Sequence, residues 1–242
     1  YMLANSFNEE SKLLSSQNLN LNLNLKTPKA PKEIVFPANH EKMVEEVEKL
    51  RATDCRFFQS KNYEVFFTEA HKIPNILHEI GRLREITFRE VGEGTNESID
   101  LDKYDQYYHH MFLWDEETKR VAGAYRMGLG SEIFPKYGMD GFYLNDLFRF
   151  DSELHDMMKQ SIEMGRAFIV KEYQQKPMPL FLLWRGIIHT TLRYPEHKFL
   201  LGGVSISNQF TDFSKSLMIE FMKSNYYDPY IAQYIKPKKE FK

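Results

Sequence analysis

The chain has 242 residues, is 42% hydrophobic, carries a net charge of −2 at pH 7 and contains one cysteine. That length and apolar content allow one large domain, or a domain with extensions, around a proper core. The near-neutral charge exerts no global pull toward nucleic acid. Cys55 alone excludes an internal disulfide and a multi-cysteine zinc site, and suits a reducing cytosol. No apolar run approaches the roughly 18 residues of a membrane span. No signal peptide is visible, and a start at Tyr1 without a Met gives the expectation of a fragment of a longer protein.

Residues 1–32 read as a connector. Residues 18–25 alternate Asn and Leu, and Thr27-Pro28-Lys29-Ala30-Pro31-Lys32 is rich in breakers. The alternation would also fit an edge strand. Residues 41–51 predict a helix with Met43, Val44, Val47 and Leu50 on one side. Residues 55–59 and 63–68 read as short strands joined through Lys61-Asn62.

The clearest helix is predicted over residues 74–91, with Pro74 in its first turn. Leu77, Ile80, Arg84, Phe88 and Val91 share one face at helical spacing. Arg84 on that stripe either snorkels at its edge or points inward over a polar cleft. Residues 92–104 form a polar loop, in and just after which Asp100, Asp102 and Asp105 recur. Carboxylates at that spacing could bind a cation or an amine, or simply be solvated. The full calcium-loop pattern is absent.

Residues 107–114 and 120–127 predict an antiparallel hairpin. His109 and His110 are adjacent and so point to opposite faces. In a regular strand Arg126 would share a face with the small Ala122 and Ala124. Residues 128–150 read as irregular, and residues 153–160 as a short helix. The strand over residues 162–170 places Glu163 and Arg166 in an otherwise apolar run, with Gly165 between them. An ionised group removed from water costs several kcal/mol unless paired, so the two charges imply either a buried ion pair or a polar cleft. In a regular strand they would face opposite sides; a bulge at Gly165 would bring them toward one site.

Residues 171–179 read as a loop, residues 180–192 as a helix with Leu183, Trp184, Ile187 and Ile188 as a core stripe, and His189 as a boundary residue. A strand over residues 199–207 and a helix over residues 212–223 follow. Lys236, Lys238, Lys239 and Lys242 form a basic, solvated end that could at most assist contact with an anionic surface. The order implies an α+β domain around a mixed sheet.

Several motifs together resemble a known family. Arg82-Leu-Arg84 with Phe88-Arg89, Asp100-Leu-Asp102-Lys-Tyr-Asp105, Gly123-Ala-Tyr-Arg126 and Glu163-Met-Gly-Arg166 are similar to the GNAT-like N-acyltransferases of ornithine- and glycine-lipid synthesis, often labelled hemolysin-like. Autoinducer synthases that make acyl-homoserine lactones share the arrangement. Leu183 to Gly186 and Ser205-Ile-Ser207 resemble the lipid branch, and the likeness covers about residues 72–224. It implies a GNAT-like (acyl-CoA N-acyltransferase) fold, with a mixed, mostly antiparallel sheet flanked by helices. The nearest likeness is to bacterial two-domain proteins. There, residues 1–32 would be the linker and tail of a preceding glycerolipid-type acyltransferase domain, and residues 33–242 the GNAT-like domain, expected to be cut short at its C-terminus.

The resemblance implies transfer of a long 3-hydroxy fatty acyl group from an acyl-carrier-protein thioester to the amine of an amino acid, in bacterial aminolipid synthesis. It implies Glu163 as the base or amine-orienting group. Arg166, Arg126 and Arg84 would form the set that binds the substrate carboxylate or polarises the thioester. Asp102 and Asp105 would partner those arginines or the amine, and Phe88 and Trp184 would line the acyl slot or the core. Ser205 joins the substrate-binding set. No metal and no cofactor beyond the donor's phosphopantetheine arm is expected. Acetyl-CoA-dependent members of the wider superfamily carry a glycine-rich pyrophosphate loop. Here the corresponding Glu172-Tyr-Gln-Gln-Lys-Pro-Met-Pro-Leu lacks those glycines, which argues against acetyl-CoA. The expected place is the cytoplasm, at the inner face of the membrane, with no nucleic-acid partner. The competing readings are a synthase using S-adenosylmethionine and a non-catalytic lipid-binding or docking module beside an acyltransferase domain. A pore-forming lysin lacks a pore hairpin or a spanning segment.

Overall fold

The computed structural model describes residues 30–207 and 210–239. The chain divides into residues 1–30 and residues 31–242. The expected connector and preceding-domain tail over residues 1–32 lie almost wholly outside the described residues. Every described helix and strand belongs to the second unit.

Helix α1 (His40–Arg51) starts at Asn39, whose side chain accepts from the Lys42 amide. It buries Met43, Val47 and Leu50. It also buries Glu46, whose carboxylate accepts from the Asn75 and Ile76 amides at 2.9 Å. Those amides open helix α2 (Pro74–Glu90), whose own N-cap, Ile73, offers no side-chain bond. Glu46 therefore supplies from α1 the anionic cap that α2 lacks.

Between the helices run β1 (Arg56–Ser60) and β2 (Tyr63–Glu69). After α2 come β3 (His109–Asp115) and β4 (Arg120–Leu129). Residues 128–150, expected to be irregular, instead contain helix α3 (Gly130–Tyr137), helix α4 (Leu144–Leu147) and strand β5 (Phe148–Phe150). Pro135 and the surrounding glycines masked the helical spacing of α3, which Ile133 anchors in the core. Next are α5 (His155–Lys159), β6 (Ser161–Ile169), α6 (Lys171–Gln174) and α7 (Pro177–Arg193). The expected loop over residues 171–179 is therefore largely helical, because prolines are accommodated in a helix's first turn. Strand β7 (Phe199–Leu201), α8 (Asp212–Tyr226), α9 (Pro229–Ala232) and β8 (Ile235–Pro237) complete the fold. β8 pairs with β5, so the basic end is partly built into a strand.

The main sheet has the order β1-β2-β3-β4-β6-β7, antiparallel throughout except for the parallel pair β6–β7. One face, with Phe66, Phe112, Ala124 and Phe168, packs against Leu77 and Ile80 of α2. The other, with Val65, Met111, Ala122 and Met127, packs against Leu182, Leu183 and Ile187 of α7. The α7 stripe differs from expectation: Trp184 and Ile188 are 58% and 57% exposed. The helix turns Gly186 to the sheet instead, where an added Cβ would stand 2.5 Å from the sulfur of Met111. That close approach rotates Trp184 and Ile188 outward.

β7 is also shorter than the expected strand over residues 199–207. It pairs with β6 only at Ser161–Phe199, Ile162–Leu200 and Glu163–Leu201, and Gly202 and Gly203 then lead the chain away. The two strands fork at Glu163, and that fork opens the site.

Candidate functional site

Register assembles the site. Thr68, His110, Arg126 and Gly165 stand in one row across β2, β3, β4 and β6. Glu163, two residues from Gly165, lies on the same face, opposite Gly128 on one side and Leu201 on the other. A bulge follows: Ala124 pairs with Phe168 and Arg126 with Gly165, so Arg166 and Ala167 together oppose Tyr125. The expected bulge at Gly165 is therefore one residue off. Gly165 keeps register, and Arg166 adopts the left-handed backbone at φ 51°. The extra residue turns Arg166 to the side that Glu163 faces.

Beyond the fork lies a cleft of about 830 Å3 lined by Phe88, Arg126, Tyr143, Glu163, Gly165, Arg166 and Ser205, among others. A Cβ on Gly165 would meet nothing within 4 Å, so the strand presents bare backbone to the cleft. A smaller apolar groove of about 230 Å3, lined by Tyr125, Ala167, Leu180 and Leu183, shares Tyr125 and Ala167 with the cleft.

Beneath the cleft lies a buried ionic network. Arg84 is 1% exposed; its Nε stands 3.0 Å from Asp100 and its Nη2 2.9 Å from Asp105. It therefore does not snorkel, and with its donors engaged by two aspartates it buttresses the site from below. Asp105 also accepts from Arg126 Nη1 at 3.0 Å, and Asp102 from the same nitrogen at 2.6 Å. Burial alone would raise the Asp105 pKa, but the Arg84 charge and hydrogen bonds, with Arg126, hold it well below the usual carboxylate range. For Asp100 burial wins, and its pKa is raised despite Arg84 and Arg166. The acidic loop is thus neutralised by arginines: of the alternatives its sequence left open, Asp102 and Asp105 partner Arg126, and Asp105 also partners Arg84. No cluster suited to a metal occurs among the described residues.

The two arginines nearer the cleft differ. Arg126 is 2% exposed, bonded to Asp102 and Asp105, with its guanidinium 5.4–5.6 Å from the rings of Tyr104, Tyr108 and Tyr143. Arg166 is held more loosely. Its Nε is 3.5 Å from Asp100 and its Nη2 3.8 Å from Asp102, and Nε makes no hydrogen bond. Its guanidinium lies 5.3 Å from the Tyr143 ring and lines the cleft.

Glu163 pairs with neither arginine, so of the two readings of its strand the polar cleft is the observed one. Its Oε1 accepts from the Leu144 amide at 2.7 Å, and its Oε2 from the Tyr143 amide at 3.1 Å and from the Tyr108 hydroxyl. Burial raises its pKa, outweighing those hydrogen bonds and the Arg126 charge. Phe88 is partly buried against the core and forms part of the cleft wall. Ser205 lies past the end of β7 and donates to Glu93 at 3.0 Å. Trp184 lines neither cleft nor core. Sequence reasoning missed Tyr108 and Tyr143. The one available signal was the density of tyrosines at positions 104, 107 and 108, just before β3.

A sequence model of the acetyltransferase (GNAT) domain matches residues 83–184, the span from Arg84 through the bulged strand to α7. The fold of the chain is accordingly GNAT-like, with a mixed central sheet between helices. The chain is 30% identical over 207 residues to a glycine N(alpha)-acyltransferase of Bacteroides thetaiotaomicron, covering 81% of this chain and 61% of that protein. It is 28% identical to the enzyme of the same description from Phocaeicola vulgatus, covering 81% and 63%. The chain thus spans less than two thirds of the length of these curated relatives. Among solved structures, the AHL synthase LasI aligns at TM-score 0.40 and 14% identity over 65% of this chain and 77% of that one. An aminoglycoside acetyltransferase from an uncultured soil metagenomic sample aligns at 0.36 and 8%, over 70% and 93%.

Proposed function

We propose that this GNAT-like domain transfers a long fatty acyl group from a thioester to the amine of glycine or a related amino acid. The observation that carries the reading is Glu163: a buried carboxyl with a raised pKa, on the wall of a cleft that also holds Arg166 and an open strand edge. The amine nitrogen attacks the thioester carbon as its N–H proton passes to Glu163. The C–S bond then breaks, and the departing thiolate takes up the proton held by Glu163, which restores the carboxylate. Arg166 receives the amino acid's carboxylate or the developing oxyanion, and the exposed β6 backbone near Gly165 offers further donors. The apolar groove beside Ala167 and Leu183 suits the acyl chain. The relatives described as glycine N(alpha)-acyltransferases support glycine as acceptor.

The donor in this proposal is an acyl carrier protein, with a 3-hydroxyacyl chain, in aminolipid synthesis; no separate cofactor is invoked. Support comes from the start of α7, where Pro177 and Pro179 remove two of the amides that a helix N-terminus would turn to a pyrophosphate. A phosphopantetheine arm needs no such cradle. We place the enzyme at the cytoplasmic membrane face. Phe181, Trp184, Ile188 and Leu192 form an outward apolar stripe on α7, and Arg185 and Arg193 lie alongside. No described helix is long and apolar enough to cross a membrane. Residues 1–32 are read as the link from a preceding glycerolipid-type acyltransferase domain, which the low-complexity Asn/Leu run and the Pro/Lys stretch support.

The test is mass spectrometry of lipids from cells expressing the full-length protein or its Glu163→Gln variant. An N-acyl amino-acid lipid made by the first and lost in the folded second supports the proposal and identifies the amine. Equal lipid in both reduces Glu163 to structure and favours the docking-module reading.

A further inference from the structure

Tyr108 is 2% exposed, and its hydroxyl donates to Glu163 Oε2. It reaches that carboxylate because Gly128, directly opposite Glu163 in the β4–β6 register, carries no side chain. A Cβ on Gly128 would stand 2.6 Å from Tyr108 Cε2 and 2.7 Å from its Cζ, so the bare backbone is the seat of the ring. The same hydroxyl lies 3.2 Å from the Gly141 carbonyl and accepts from the Tyr143 amide at 3.1 Å. Its single hydrogen therefore has two acceptors within reach, the carboxylate and a backbone carbonyl.

We propose that Tyr108 is the positioning residue of Glu163: its hydroxyl holds the carboxylate ionised and oriented toward the amine, then turns to Gly141 O when Glu163 carries a proton. The inference rests on Glu163 acting as the base. The balance is simple. The amine N–H bond breaks and a carboxyl O–H bond forms; the new O–H, on Oε2, donates to the phenolic oxygen. Tyr108 keeps its own proton throughout and only changes acceptor. Both protonation states of a buried carboxyl are then fully hydrogen-bonded, which removes the penalty of an orphaned polar atom at either stage.

The groups facing this pair are Arg126 from β4, Tyr104 and Tyr107 from the turn before β3, Tyr143 beside α4, and Arg166 from the bulge. Asp102 and Asp105 neutralise Arg126, and Asp146 accepts from Tyr104. Among them only the Tyr143 amide also donates to Oε2, at 3.1 Å, so Tyr108 supplies the one side-chain donor to that oxygen.

The test compares pH profiles of kcat/KM for the full-length protein, Tyr108→Phe, Gly128→Ala and Glu163→Gln, with glycine and a long-chain acyl thioester of acyl carrier protein. Tyr108→Phe keeps the ring and loses the donor. The expected result is an acid limb displaced to higher pH, a loss of about tenfold at neutral pH, and recovery toward the parent in alkali. Gly128→Ala keeps the hydroxyl and pushes the ring away, so it should displace the limb in the same direction. Should Tyr108→Phe fail to fold, the Gly128→Ala profile decides. An unmoved acid limb in the folded variants, with Glu163→Gln inactive, overturns the role of Tyr108 and leaves Glu163 as base. Full activity of Glu163→Gln overturns the base assignment itself, and the Tyr108 proposal with it.

Discussion

Arg84 Nη2 stands 2.9 Å from Asp105 Oδ2, and neither side chain is more than 1% exposed. One end of this pair lies on α2 and the other on the short helical turn of Lys103–Gln106, so it pins the acidic loop to the underside of the sheet. Removing one partner leaves the other charge buried. Arg84→Ala should therefore lower unfolding free energy by about 3–5 kcal/mol. Urea denaturation measures it, and a loss under about 1 kcal/mol would show that solvent reaches the pair.

Arg166 sits at φ 51°, a conformation that costs an L-residue about 1–2 kcal/mol and glycine almost nothing. Arg166→Gly should therefore be more stable than Arg166→Ala by about 1 kcal/mol. Both should lose activity, since neither carries the guanidinium facing the cleft. Thermal denaturation of the two variants checks the order. Equal stability would mean that the bulge relaxes once the arginine is gone.

His109 and His110 give the stability a pH dependence. Burial lowers both pKa values to about 4, from 6.5. Between those values the unfolded chain binds more protons than the folded one, so stability is full above pH 6.5 and falls as the pH drops toward 4. His109 stacks on Phe67 at 4.7 Å, its Nδ1 3.9 Å from Glu132 and unbonded. The urea midpoint should fall between pH 7.5 and pH 5, and fall less in His109→Leu. A midpoint that stays flat in the parent protein would mean that the histidines charge without unfolding it.

Adjacent residues of α7 should behave oppositely. Leu183 is fully buried, and Leu183→Ala should cost about 2–5 kcal/mol. Trp184 is 58% exposed, and Trp184→Ser should change stability by no more than about 0.5 kcal/mol. It should instead weaken binding to anionic vesicles in a flotation assay, if the outward stripe meets a membrane. Unchanged flotation would remove the stripe from that role.

Periodicity and composition were enough to reveal α1, α2, the β3–β4 hairpin and the Glu163 strand, because each buries a face at its own repeat and that repeat is written locally. The charges of the site were legible for the same reason: Arg84, Arg126, Glu163 and Arg166 interrupt apolar patterns, and an interrupted pattern needs a partner. What those charges touch depends on residues far away in the chain. Whether Arg84 is a surface or a buried residue rests on Asp100 and Asp105, 16 and 21 positions later. Whether Glu163 pairs with Arg166 or with Tyr108 rests on Gly128, which makes room for a ring 55 positions from Glu163. The outward turn of Trp184 rests on the approach of Gly186 to Met111. Local sequence thus determined which elements form and which side chains require explanation. Only the tertiary structure decided their partners, because register, bulge and close approach are set by packing between distant segments.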